Sequence, residues 1–211
     1  SASVYGNAVE EPMTENHPHN NTNFYGATKI AGEHMCRSLY HRYKGTEKRF
    51  DYVGLRYMNV YGARQDYYGA YIAVIMKILD RLDKGLPPII YGDGSQAYDF
   101  INVVDCARAN VCAMKADATD KFYNVGRGVR TTIKELAELL LEITGSTQEI
   151  QYEPAGMTFV QNRIGCPVKA RDEIGFEAKI ELREGLIDLV EWRKNHKSEV
   201  EKRRNEAGIK E

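Results

Sequence analysis

The sequence predicts an α/β fold built on a doubly wound, largely parallel sheet, and two observations carry that prediction. Short runs rich in β-branched and aromatic residues alternate along the chain with longer segments of helical periodicity. Glycine, proline, asparagine and aspartate punctuate the boundaries, and no internal repeat, low-complexity tract or long linker interrupts the alternation.

Taken in order, "SASVYG" at residues 1–6 reads as the end of a strand. Residues 24–44 predict a helix: Ala27, Ile30, Ala31, Met35 and Leu39 recur at helical spacing, and Asn23 stands where an N-cap is needed. "DYVGLRYMNV", residues 51–60, has the content of a buried strand, and "YGARQ" turns away from it. A second helix is expected from Ala70 in "AYIAVIMKILDRL", then a short strand and glycine turn in "PPIIYGDGS", a brief strand in "DFINV" and a third helix in "VVDCARANVCAMK". "KFYNVG" from Lys121 is another strand. The next helix is well marked, with Thr132 and Glu135 in capping-box register and Gly145 at its far end. A strand "EIQYEP", a loop through Cys166, a short helix around "KARDEIGF" and an amphipathic helix from Leu182 to Lys194 follow. The final "EKRRNEAGIKE" alternates in sign and reads as a solvated, fraying tail.

The 211 residues can bury one good core or two small ones, and 43% hydrophobic with 28% charged residues is ordinary for a globular protein. With 29 basic and 30 acidic residues the formal net charge is -1, so no overall field favours nucleic acid or an anionic membrane as a partner. Cys36, Cys106, Cys112 and Cys166 lie far apart without a CxxC pair, which suits reduced thiols in a cytoplasmic protein. The histidines offer no ligand spacing, so no metal is expected, and no apolar run is long enough to cross a bilayer. The chain lacks an initiator methionine and starts at what reads as a strand end, which predicts that it is part of a longer protein.

Chemistry enters at "NFYGATK", where Tyr25 and Lys29 stand four apart on the predicted helix and so share a face. A phenol is a poor base at neutral pH, but an adjacent ammonium favours the phenolate by roughly one to three pKa units. A hydroxyl from Ser1 or Ser3 could orient a substrate oxygen and share its proton. The spacing recurs at Tyr40 and Lys44 in "YHRYK", near the far end of the same helix, where neighbouring aromatic and basic residues read as a solvated flank.

"SASVYG", "YGATK", "LRYMNVYGARQ", "YGDGSQAYDFINVVDCARA" and "FYNVG", in that order and over nearly the whole chain, resemble the extended short-chain dehydrogenase/reductase family, in particular its nucleotide-sugar epimerases and dehydratases. The resemblance implies a Rossmann-like sheet with a smaller α/β substrate lobe. It assigns residues 1–60 to the second half of an NAD-binding domain and 61–211 mainly to the lobe, with a segment of about 89–125 returning to the first domain. It implies that Ser1, Tyr25 and Lys29 are the catalytic set, the tyrosinate taking a proton from a sugar hydroxyl while hydride passes to NAD. Tyr25, Lys29 and Met58 are implied to meet the cofactor. Ser3, Asn59, Arg64, Tyr98 and Arg163 are implied to meet the nucleotide-sugar, a UDP-sugar by preference. A homodimer through the Tyr25 helix is also implied.

The sequence departs from the family pattern in three places. The segment usually written GDGxQxRDF reads "GDGSQAYDF", so Tyr98 replaces an arginine that holds the diphosphate, and Arg64 becomes a candidate substitute cation. Arg163 in "NRIGC" resembles the arginine of an RxGD segment, but Cys166 stands in place of its aspartate; the alternative for Arg163 is an exposed, solvated side chain. The glycine-rich turn that cradles a cofactor pyrophosphate does not occur in these residues, so the 211-residue chain alone is expected to be inactive. Ala2 and Ser3 stand where dehydratases carry an acid pair, which favours a 4-epimerase working through a 4-keto sugar. A dehydratase or reductase of the same family, or a non-catalytic binding module, remains the alternative.

Overall fold

The computed structural model describes residues 1–65, 74–155 and 160–206. After one 3-10 turn, Ala2–Val4, come α1 (Phe24–Tyr43), β1 (Val53–Tyr57), β2 (Asn59–Tyr61), α2 (Val74–Asp83), β3 (Ile89–Tyr91), β4 (Ala97–Tyr98) and β5 (Phe100–Asn102). They are followed by α3 (Val103–Lys115), β6 (Lys121–Val125), β7 (Thr131–Thr132), α4 (Ile133–Thr144), β8 (Gln151–Glu153), β9 (Asn162–Arg163), α5 (Val168–Ile174), α6 (Leu182–Asn195) and α7 (Lys197–Glu206). The fold is the expected α/β alternation, with parallel pairings β1 to β6, β3 to β8 and β4 to β9. Residues 70–73, the start of the helix expected from Ala70, lie outside the described residues.

The chain divides into two units, one of Ser1–Val60, Gln96–Arg130 and Met157–Lys179, the other of Tyr61–Ser95, Thr131–Gly156 and Ile180–Glu211. Within the first unit the chain returns at Gln96. The stretch from Val160 to Lys179 also belongs to the first unit. Hydrogen bonds account for that: Ala97 N–H donates to Gln161, Met13 N–H to Ile164 (2.8 Å) and Cys166 N–H to Met13 (2.7 Å), so this stretch is tied on both sides within unit one.

In the first unit the run expected as one strand, 51–60, is two. Val53 to Tyr57 pair in register with Lys121 to Val125, and Met58 N–H still reaches Val125. Asn59 N–H then turns to Asp99 (2.9 Å), and β2 pairs with β5 instead. A change of partner in mid-strand cannot be read from local composition, because it depends on a segment forty residues away. The core beneath is made of Val4, Tyr5, Met13, Met58, Ile101, Tyr123, Val125 and Phe176. "SASVYG" is a 3-10 turn rather than a strand end: Ser1 Oγ accepts the Ser3 N–H, and the amides of Val4 and Tyr5 close back on the carbonyls of Ser1 and Ala2.

In the second unit α4 packs against α2 and α6, burying Leu136, Ala137 and Leu140 with Ile75, Ile78 and Leu79 and with Leu186 and Leu189. Both expected caps of α4 are present, the reciprocal Thr132 and Glu135 bonds at one end and Gly145 at a φ of 67° at the other. The C-terminal segment is not a fraying tail as far as Glu206. It forms α7, because Val200 is buried and Arg204 pairs with Asp80 at 2.9 Å, beside Arg193, which is itself buried against Asp80 at 2.7 Å.

Candidate active site

Helix α1 starts where Asn23 Oδ1 accepts the Gly26 N–H at 2.8 Å, the cap that its position predicts. Gly26 is the residue of α1 that is buried, and a Cβ there would lie 2.5 Å from the Ser3 carbonyl oxygen. Lack of a side chain at Gly26 therefore lets the helix end seat directly on the Ser1–Tyr5 turn, which brings Tyr25 and Lys29 to the same place as Ser1 and Ser3. The Lys29 ammonium stands 5.0 Å from the centroid of the Tyr25 ring. Tyr25 is 45% exposed.

Further predicted residues lie on β2, β4 and β9. Asn59 sits at the point where its strand changes partner, its amide fixed to Asp99; no hydrogen bond engages its side-chain amide among the described residues. Arg163 is paired across the strands with Tyr98. The Arg163 Nε is buried without a hydrogen-bond partner, and no carboxylate pairs with its guanidinium among the described residues. Burial lowers its pKa, opposed by the nearby phenols of Tyr98 and Tyr25. The charges of Lys29 and Arg163 both act at the Ser1 backbone nitrogen, so Ser1 lies near each of them.

Ser1, Ser3, Tyr25, Lys29, Asn59 and Arg163 thus all belong to one unit. Of the other predicted residues, Met58 and Tyr98 lie in that unit and Arg64 in the second. Met58 is buried with its side chain against Gly126 and Gly165, and its N–H is given to Val125, so what it could offer a ligand is not its thioether. Tyr98 donates its hydroxyl proton to the Val160 carbonyl at 2.7 Å, a bond that spends the donor a phosphate would need. Arg64 belongs to the other unit, where its carbonyl accepts from Arg203 Nη1 at 3.1 Å. The second tyrosine and lysine pair has different company: Lys44 lies 5.6 Å from the Tyr40 ring, which packs edge-on against Tyr52.

Asp99 is a residue that motif spacing does not single out. It is fully buried, its oxygens accept the N–H groups of Arg127 and Gly128 at 2.9 Å each, and its own N–H donates to the Arg163 carbonyl at 3.1 Å. Burial raises its pKa to about 6, although the backbone bonds pull the other way. Through its backbone and carboxylate one residue fixes Asn59, Arg163 and the loop after β6. A signal for it exists in the sequence: a carboxylate inside the apolar run "AYDFINV" has to find buried donors.

A tyrosine and lysine on one helix face, serine hydroxyls at the end of a preceding segment and parallel α/β architecture define a dehydrogenase-type site of the short-chain class. Comparison with known proteins agrees. Residues 1–126 match the NAD dependent epimerase/dehydratase family, and the chain belongs to it. A putative UDP-glucose 4-epimerase of Methanocaldococcus jannaschii is 37% identical over 92% of this chain and 60% of its own length. The Thermotoga maritima UDP-glucose 4-epimerase, solved with UDP-glucose, is similar with a TM-score of 0.83 and 35% identity, covering 92% of this chain and 61% of that one. The UDP-N-acetylglucosamine 4-epimerase of Methanobrevibacter ruminantium, in complex with UDP-N-acetylmuramic acid, gives 0.84 and 32%, with 92% and 61% covered. The chain therefore spans about three fifths of the length of these relatives.

Proposed function

We propose that these residues form the catalytic half of an NAD-dependent nucleotide-sugar 4-epimerase acting on a UDP-sugar. The observation that carries the reading is the pairing of Tyr25 and Lys29 on one helix face with Arg163 beside them, its Nε buried and unpartnered. A half-buried cation whose Nε is out of water and without a counter-ion among the described residues is partly desolvated at a cost, and a nucleotide diphosphate would supply the missing charge through a guanidinium fork. Tyr98, its hydroxyl given to Val160, leaves that task to Arg163.

In this reading the Tyr25 oxygen takes the proton of a sugar hydroxyl and later returns it, Ser1 holds the same hydroxyl in line, and the Lys29 ammonium supports the charge on the phenol. Ser3 and Asn59 orient the sugar. NAD, when bound, supplies reversible acceptance of hydride from the carbon that bears that hydroxyl. Lys29, which forms no ion pair among the described residues, fits a ribose hydroxyl of the dinucleotide, whereas no glycine-rich turn in these 211 residues fits its pyrophosphate. With Ala2 buried and Ser3 neutral, no acid pair flanks Ser1 to drive an elimination of water. That favours epimerisation over dehydration.

A homodimer through α1 is part of the same reading, supported by Phe24, Met35 and Leu39, which that helix leaves 94%, 65% and 42% exposed. A cytoplasmic location is supported by four free cysteines, and no helix among the described residues is long and apolar enough to cross a membrane. The test is to incubate the whole protein and NAD with UDP-, dTDP-, GDP- and CDP-sugars and identify the products. Conversion of a UDP-sugar to its C4 epimer is expected; loss of water, net reduction or binding without turnover would each overturn the reading.

A further inference from the structure

Helix α1 has little apolar anchorage, since Gly26 is its buried residue and several of its large apolar side chains face outward. A helix so weakly packed needs another device to fix its rotation, and one exists two turns past Tyr25. Glu33 follows Tyr25 and Lys29 at successive steps of four, on the same drifting stripe of the helix. Its carboxylate takes both arms of one guanidinium: Arg56 Nε donates to Oε1 at 2.9 Å and Nη2 to Oε2 at 2.7 Å.

Arg56 projects from β1 and is buried. Its remaining donors are also engaged, Nη1 with the Tyr5 hydroxyl at 2.9 Å and the Glu15 carbonyl at 3.0 Å, and Nη2 with His19 Nε2 at 3.2 Å. The guanidinium also lies 4.9 Å from the Tyr5 ring centroid and 5.0 Å from that of Phe122. Tyr5 closes the 3-10 turn that carries Ser1 and Ser3, and its hydroxyl donates to Asn124 on β6 at 2.6 Å. One side chain therefore joins the helix bearing Tyr25 and Lys29 to the turn bearing the serines and to the sheet.

We propose that Arg56 and Glu33 are positioning residues for catalysis: their bidentate pair sets the rotation of α1 against the Ser1–Tyr5 turn, and with it the placement of the Tyr25 oxygen relative to the serine hydroxyl. The inference rests on the reading of Tyr25 as the base. Neither residue touches substrate in this account, so their loss should reduce turnover more than affinity, since misplacement of reacting groups by about 1 Å can cost on the order of a hundredfold in rate.

Two variants of the whole protein with NAD are compared, with UDP-glucose for turnover and UDP for binding. Glu33→Gln keeps the size of the side chain and removes one of the two acceptors. The double variant Arg56→Met with Glu33→Leu removes both charges together, which avoids the uncompensated buried cation that a single Glu33→Leu change would leave. Per folded molecule, kcat should fall about tenfold in the double variant and less in Glu33→Gln, while UDP binding and KM stay within about twofold. A folded double variant with wild-type kcat, or a fall in kcat matched by an equal loss of UDP affinity, would overturn the inference. If the double variant does not fold, Glu33→Gln with wild-type kcat overturns it equally. Tyr25→Phe is measured in parallel: if it retains turnover, the parent reading fails, whereas its inactivity beside fully active Glu33 variants sinks the positioning role alone.

Discussion

Helix α1 carries the same tyrosine and lysine spacing at both ends, and the two ends differ in everything else. At the first, Gly26 lets the backbone sit on the Ser3 carbonyl, which sets Tyr25 and Lys29 beside the serine-bearing turn, and Tyr25 acts on Arg163, whose Nε has no hydrogen-bond partner. At the second, Lys44 lies over Tyr40, whose ring packs on Tyr52 near a surface pair of Arg37 with Asp120. In both, an ammonium approaches the ring of the phenol four residues before it, at 5.0 Å and 5.6 Å. The local pair is therefore not what makes a site. What separates them is a cation without a counter-ion and hydroxyls that belong to other segments of the chain.

Arg163→Met should raise the Kd for UDP by about ten- to a hundredfold, the value of a charge-assisted hydrogen bond or two, as measured by calorimetry on the whole protein; removing Lys44 should change it by less than twofold. Equal effects would mean that the two ends are not distinguished by anion binding.

Asp99 behind Arg163 sharpens the same contrast through pH. Its pKa is raised from 3.8 to about 6, so the native state holds the proton more tightly than the unfolded chain. The sign follows: between about pH 4 and 6 the native state binds more protons, and stability falls as pH rises, by about 3 kcal/mol in total for two pKa units. Unfolding free energies from urea melts of the wild type should lose this amount relative to Asp99→Asn across that window, while parallel curves would show that the carboxylate is not strained by burial.

The smallest effects come from two glycines of the one helix. A Cβ at Gly26 meets the Ser3 oxygen at 2.5 Å, whereas at Gly32 it meets nothing within 4 Å. Gly26→Ala should destabilise by about 1–3 kcal/mol through overpacking, and displace Tyr25 enough to lower kcat. Gly32→Ala should stabilise by up to about 1 kcal/mol, since alanine favours the helix. Thermal unfolding of the two variants reads both signs at once.

The parts of this protein that are legible in the sequence are those fixed by residues near one another in the chain. The N-cap of α1 at Asn23 and the capping box and glycine stop of α4 follow from local spacing because each is a bond across three or four residues. The break of strand 51–60 at Met58 does not, since its second half pairs with β5 through the Asp99 carbonyl. Nor does α7, since a charged tail becomes a helix only when Asp80 is there to hold Arg204. Within the candidate site the motif spacing points to Tyr25 and Lys29, but the burial of the Arg163 Nε, the hub at Asp99 and the clamp between Arg56 and Glu33 are each made by segments far apart in sequence. Tyr98 shows the converse: its place in the motif suggests a phosphate, and a backbone carbonyl 62 residues on accepts its hydroxyl hydrogen bond.

The most direct test of the account replaces the two phenols in turn. In the whole protein with NAD, Tyr25→Phe should lower kcat by at least about a hundredfold, the usual scale of a lost proton acceptor, with UDP affinity within about twofold of wild type. Tyr40→Phe should leave both unchanged. A Tyr25→Phe protein that keeps most of its rate, or one that loses rate no more than Tyr40→Phe does, would contradict the assignment of the Tyr25 oxygen as the base.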